Sequence, residues 1–238
     1  TIMSDGIIKR DGGSMFGPVP KVHWENSVPT DRRNRIVLGL NSLLIQMGRR
    51  NILIDTGVGS KDRNGEQDEF GLVPSRLLKD LRGSDLTPKD IDTVVLTDLD
   101  FDHCGGCTRL DRSGECVPTF SKATHYVQAD CYEDACNPNE RSRGMYRSKD
   151  FLPVGERGQL ELLDGDCEIF PGLEVMSASG PSRGHQIVFI TLGGERIAFL
   201  GDLVPTAYHL DLASISAFDQ YPEETLQVKR ETLNRAEH

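Results

Sequence analysis

The chain has 238 residues, enough to bury a sizeable core, and is 37% hydrophobic and 27% charged with no low-complexity tract. Its formal charge of -10, without a concentrated basic face, argues against a general nucleic-acid binder, and no apolar run approaches the roughly 18 residues needed to span a bilayer. No basic stretch followed by an apolar one is visible near Thr1, so the sequence reads as cytoplasmic with its six cysteines mostly reduced, a processed start remaining open.

Residues 36–46 and 51–56 read as two strands around a turn at Gly48, a hairpin pattern. Gly57 and Gly59 then end the second strand in a loop, too short a glycine signal for a dinucleotide site. Residues 74–81 carry apolar side chains at helical spacing, and Thr87-Pro88 looks like an N-cap followed by a first-turn proline. Residues 92–97 form a short β-branched run that predicts a buried strand. The stretch 108–155 is polar and irregular, with one strand at 124–127. Strand patterns return at 160–163, 173–176, 186–192 and 196–200, the last two joined by a Gly193-Gly194 turn. Residues 223–236 read as a helix, with Leu226 and Leu233 a heptad apart. Strands with helices between them predict a layered α/β sandwich, and no internal repeat or domain boundary interrupts residues 1–238.

The chemistry concentrates after the strand at 92–97, where Asp98, Asp100, Asp102 and His103 follow one another within six residues. In extended backbone, positions i, i+2 and i+4 share a side, so the three carboxylates crowd together at a cost unless a cation or protons neutralise them. The bland alternative is an acidic, solvated turn. A calcium loop of the D-x-D-x-D type fails, because its glycine position is His103 and its closing glutamate position is Arg109. An Asp-His pair suits a transition metal better. Asp202 stands at the end of the strand 196–200, and His209 follows seven residues later. Cys104-Gly105-Gly106-Cys107 is a C-x-x-C, which fits a redox pair or half a zinc knuckle, but no second close pair and no thioredoxin-like context accompany it. Neither a G-x-S-x-G nor a phosphate-binding loop is present.

Taken in order, Ile54-Asp55-Thr56-Gly57, the loop 96–106, Gly184-His185-Gln186 and Gly201-Asp202 resemble the metallo-β-lactamase superfamily. The pattern is particularly similar to the branch that includes the acyl-homoserine lactonases, with support from residues 11–17 and 201–210. The likeness covers nearly the whole chain, taken as one domain. Family members usually continue with further strand, which leaves open that C-terminal strands lie past residue 238.

The resemblance implies a four-layer αβ/βα sandwich with a one- or two-metal site between its sheets. The family signature is H-x-H-x-D-H, a distant histidine, a bridging aspartate and a last histidine. By position it assigns Asp102, His103, Asp202 and His209 to a complete second metal site. At the first site Asp98 and Asp100 replace two histidines, and Pro181, four residues before His185, replaces the third. One divalent ion is therefore expected, zinc first with manganese or iron as alternatives, and a second ion is in doubt. The implied function is hydrolysis of a small lactone or ester by metal-bound hydroxide, with Asp98 or Asp100 as general base and Tyr208 as oxyanion stabiliser. The alternative is a binding or structural protein that keeps the scaffold without catalysis. His185 is expected to be structural, and Asp55 either supports a ligand or merely ends its strand. The partner is a small molecule, with neither nucleic acid nor membrane involved; the oligomeric state is open.

Overall fold

A computed structural model describes residues 1–61 and 66–236. Strand β1 (Ile2–Asp11) leads through short helices α1 (Gly12–Phe16) and α2 (Lys21–Trp24) into β2 (Arg35–Met47), which pairs antiparallel with both β1 and β3 (Arg50–Ile54). Helices α3 (Glu66–Phe70) and α4 (Leu77–Gly83) precede β4 (Thr93–Val95), which lies parallel to β3. The site loop then forms α5 (Phe101–Cys104) and a two-stranded ribbon of β5 (Thr108–Leu110) and β6 (Cys116–Pro118). Strand β7 (Thr124–Gln128), helices α6 (Ala129–Cys136) and α7 (Ser148–Glu156), and β8 (Leu160–Leu163) complete a six-stranded sheet of order β1-β2-β3-β4-β7-β8. A second, antiparallel sheet of order β12-β11-β10-β9 comprises β9 (Cys167–Phe170), β10 (Leu173–Ser177), β11 (Gln186–Leu192) and β12 (Glu195–Phe199). Helix α8 (Pro222–Ala236) follows.

Burial explains the layering. Ile52, Leu53 and Ile54 of β3 are all fully buried, as a strand covered on both faces must be. Because side chains alternate, Leu53 packs with Leu77 and Leu81 of α4, Cys131 and Ala135 of α6, and Phe151 and Val154 of α7. Ile52 and Ile54 point the other way, into a core shared with Leu173, Val175, Val188 and Ile190 of the second sheet. On the far side, Val228 of α8 packs with Met176, Ile187 and Phe189. The order is thus helices, sheet, sheet, helix, the four-layer sandwich expected.

Three elements were not legible. In β1 a register shift between Ser4 and Ile7 breaks the alternation, and its face mixes Asp5, Lys9 and Arg10 with apolar residues. Helices α6 and α7 lie in the stretch read as irregular; α7 carries Pro153 in its interior, which masks its pattern. The Thr87 N-cap does open a helical turn, a three-residue 3-10 helix with a reciprocal Thr87–Asp90 capping box. Among the described residues no helix is long and apolar enough to cross a membrane.

Candidate metal centre

The parallel strands β3 and β4 end side by side, and the loops leaving their C-terminal ends build the site, where open α/β sheets place ligands. Beyond Ile54 the chain turns at Asp55 with φ +54°, a left-handed conformation that Asp tolerates. The buried Asp55 carboxylate accepts from Thr97 N and Thr97 Oγ1, both at 2.8 Å, and faces His103 Nδ1 at 2.8 Å. An acceptor there holds a proton on Nδ1 and directs Nε2 at Asp202 Oδ1, 3.3 Å away.

Asp98 follows the last residues of the β4 segment and is fully buried. It accepts from Asp100 N at 3.0 Å and from Ser182 Oγ at 3.2 Å. Ligand atoms of Asp98, His103 and Asp202 all lie within 4.8 Å of one another. Burial, with the like charges of Asp202 and Asp55 and against the attraction of His103, pushes the Asp98 carboxyl up to about 7. Burial and the neighbouring Asp98 and Asp102 likewise hold Asp100 well above the usual carboxylate range. For His103 burial acts downward, but Asp98, Asp202 and Asp55 outweigh it and raise the imidazole well above its ordinary value.

Asp202 reaches the cluster from the chain leaving β12. Its preceding Gly201 has φ +51°, and a Cβ there would stand 2.7 Å from His185 Nε2 and 3.0 Å from Thr97 Cβ. The fully buried His185 holds this turn: Nδ1 donates to Ala178 O at 3.2 Å, and Nε2 accepts from Asp202 N at 3.1 Å. It is a structural imidazole, as the sequence suggested.

The profile of the Metallo-beta-lactamase superfamily matches residues 35–236. The chain belongs to this superfamily. It is 28% identical over 150 residues to the N-acyl homoserine lactonase AiiA of Bacillus thuringiensis subsp. kurstaki, covering 58% of this chain and 53% of that protein. An N-acyl homoserine lactonase, AttM, of Azorhizobium caulinodans is 32% identical over 130 residues, covering 53% of this chain and 45% of that protein. The matched region thus spans about half the length of these curated relatives. Among solved structures, a probable metal-dependent hydrolase from Staphylococcus aureus is 34% identical with a TM-score of 0.92, covering 99% of this chain and 83% of that one. The dizinc quorum-quenching lactonase AidC, crystallised with a product, has a TM-score of 0.77 at 18% identity over 98% of this chain and 82% of that one, a likeness of fold.

Within this metallo-beta-lactamase superfamily chain the ligand set differs from the one carried over by position. Asp102 lies inside α5, where the extended alternation has ended, and its Oδ2 accepts from Arg10 Nη2 at 2.9 Å. His209 does not join the cluster: Nε2 faces Met15 O at 2.8 Å, Nδ1 faces Thr206 Oγ1 at 2.7 Å, and the ring stacks on Phe16. Both ring nitrogens thus face other partners, and His209 is not among the groups that converge. The Tyr208 hydroxyl donates to Ser27 O at 2.9 Å on the exposed surface. Asp98, expected at the altered site, is the carboxylate that joins His103 and Asp202. Asp100 does not join that trio; it lines a cavity of about 40 Å³ with Arg10, Asp102, Pro181, Asp202 and Phe218, and its Oδ1 is buried without a hydrogen-bond partner.

Sequence reasoning missed Arg10 and Ser182. Arg10 sits in the unrecognised strand β1, whereas Ser182, beside the substituted Pro181, was legible as a polar residue of the loop that should carry a ligand. The C-x-x-C thiols are buried and free: Cys104 Sγ donates to Leu99 O at 3.1 Å and Cys107 Sγ lies 3.5 Å from Thr56 Oγ1. Burial pushes both thiols up, the opposite of what a redox pair needs.

The donor set fits one divalent ion. Two carboxylates and an imidazole oriented by Asp55 form three protein ligands with room for an open position, as in catalytic zinc sites. Of the other positions in the carried-over set, Pro181 has no side-chain donor, His209 Nε2 faces Met15 O, and Asp102 pairs through Oδ2 with Arg10 while its Oδ1 is buried without a hydrogen-bond partner.

Proposed function

We propose that the protein is a metal-dependent hydrolase of a small lactone or ester, working with one divalent ion held by Asp98, His103 and Asp202. The observation that carries this reading is the convergence of those three donors at 4.8 Å or less, with Asp55 fixing the His103 tautomer behind them. Family membership and the lactonase names of the curated relatives support the reaction class. When bound, such an ion lowers the pKa of coordinated water toward 7 and polarises a carbonyl. Zinc suits the imidazole, while the two carboxylates also admit manganese or iron.

The chain's own residues supply the rest. Asp55 keeps the proton on His103 Nδ1, so that Nε2 offers its lone pair. Ser182 and the Asp100 amide orient the Asp98 carboxylate, and His185 orients the backbone of Asp202. Asp100 lines the same cavity with an unpartnered carboxylate oxygen, which supports a role as acceptor for the proton of an attacking water once a bound ion offsets the charges that raise its carboxyl. At about 40 Å³ the cavity holds a few water molecules, so a lactone must lie across its mouth or displace the segment carrying Phe218.

A non-catalytic reading is favoured by one feature: His103 Nε2 stands 3.3 Å from Asp202 Oδ1, and Arg10 pairs with Asp102, so the cluster closes on itself. Elemental analysis of the purified protein, with zinc, manganese and iron titrations and a lactone and ester panel, separates the two. One bound equivalent with hydrolysis is expected. Neither bound metal nor turnover under any ion would leave the non-catalytic reading.

A further inference from the structure

We infer that the Arg10 guanidinium is a resident cation standing where a two-ion centre would carry its second metal, and that it restricts this chain to one ion. The inference rests on the proposed one-ion centre only for the position of that ion. Arg10 projects from the end of β1 and is only 6% exposed, yet a guanidinium stays charged at any ordinary pH. Its Nη2 lies 2.9 Å from Asp102 Oδ2, one of the carboxylates that the family signature assigns to the second metal. The head group is enclosed by aromatic faces, with its central carbon 5.0 Å from the Phe70 ring centre, 4.9 Å from that of Phe101 and 5.3 Å from that of Phe218. Rings on these elements hold a cation in place and shield it from water.

The same guanidinium feels Asp100 and Asp202 as well as Asp102, and their attraction outweighs its burial. It therefore neutralises the carboxylates on this side of the cavity, the electrostatic task that a metal performs in a dinuclear site. A second divalent ion beside Asp102 would have to displace the ion pair and sit against a buried positive charge. The metal-capable trio draws on Asp98 and does not include Asp102.

The test is metal stoichiometry, read by calorimetry and by elemental analysis after gel filtration, with manganese and zinc chlorides as probes. The parent protein is expected to bind one equivalent. Arg10→Met, which keeps much of the apolar stem and removes the charge, is expected to take up one further manganese, favoured by the oxygen donors of Asp100, Asp102 and Asp202. Arg10→Lys should remain at the parent value, and Arg10→Met with Asp102→Asn should lose the added equivalent. Two tight equivalents in the parent, or no gain in a folded Arg10→Met protein, would overturn the inference. Asp102→Asn alone keeps the test decisive if Arg10→Met does not fold: its stoichiometry should match the parent's, and a lost equivalent would show that Asp102 is a ligand and sink the idea. If the parent binds no metal but Arg10→Met gains an Asp102-dependent ion, the one-ion function fails while the role of Arg10 stands.

Discussion

Replacing Asp55 by Asn tests whether the His103 tautomer controls the centre. The change is nearly isosteric, and Asn accepts φ +54° as readily as Asp, so the backbone at the end of β3 should hold. The amide oxygen can still accept from Thr97 N at the 2.8 Å position, but the NH2 group then faces Thr97 Oγ1 and His103 Nδ1. An imidazole facing a donor must accept at Nδ1, which moves its proton to Nε2, the atom the ion needs. Loss of such an orienting carboxylate costs about 10–100-fold in metal affinity. That factor corresponds to about 1.4–2.7 kcal/mol. The three contacts of Asp55 also contribute to stability, so a loss of about 1.5–3 kcal/mol in urea denaturation of the metal-free protein should accompany it. Calorimetric zinc titration of parent and variant is the assay. A folded Asp55→Asn protein that binds zinc within about threefold of the parent would refute the tautomer argument, since about threefold is well below the expected loss.

Three further predictions use other parts of the structure. Lys61 and Asp150 form a buried pair at 2.9 Å, and Lys61 Nζ also donates to Gly105 O and to Thr108 O and Oγ1 beside the site loop. Lys61→Met should cost about 3–5 kcal/mol by urea denaturation, with partial recovery when Asp150→Leu is added; a loss under about 1 kcal/mol would show that the pair is not needed. Gly201→Ala should weaken zinc binding as well as stability, because its Cβ would press on His185 and Thr97, whereas Gly194→Ala, with φ +87° and no atom within 4 Å, should affect stability alone; equal metal affinities in the two variants would count against the positioning role. Burial pushes the His125 imidazole down to about 4, so between pH 6.5 and about 4 the unfolded chain takes up a proton that the native one refuses, and roughly 3 kcal/mol of stability should be lost as pH falls through that window. His125→Leu should flatten the slope there; identical pH profiles of the two proteins would contradict the assignment.

The sheets were legible where burial is two-sided, because β3, β4 and β11 must then be continuously apolar and short. The convergence of Asp98 and His103, which follow β4 in the loop and in α5, with Asp202, which follows β12, joins two segments that the sequence singled out for their carboxylates and imidazole. Side-chain direction was not legible. The reading of Asp98, Asp100 and Asp102 on one side assumed extended backbone throughout, but the chain enters α5 at Phe101, which takes Asp102 out of that alternation and sets its Oδ2 against Arg10. The direction of His209 was not legible for a related reason. Its distance along the chain from Asp202 says nothing about the 3-10 turn at Ala207–Leu210, where Thr206 and the Met15 carbonyl claim both ring nitrogens.

Membership of a superfamily fixes the sandwich and the edge where chemistry is assembled, but the number of ions depends on where a few side chains point. Under the one-ion proposal, three features that weigh against a second ion are physically independent. Pro181 has no side-chain donor, His209 is held by hydrogen bonds some distance along the chain, and Asp102 is neutralised by a guanidinium that reaches in from β1. Replacing signature histidines by Asp98 and Asp100 adds negative charge to a buried region, which is tolerable only with compensating positive charge. Arg10 supplies that charge next to Asp102, and in the metal-free protein a protonated His103 supplies it between Asp55 and Asp202, a proton that an ion bound at Nε2 would displace. On that proposal the carboxylates and the arginine form one arrangement: removing the guanidinium would leave the acidic side of the cavity without its counterion, and restoring imidazoles alone would leave a guanidinium that repels a second metal.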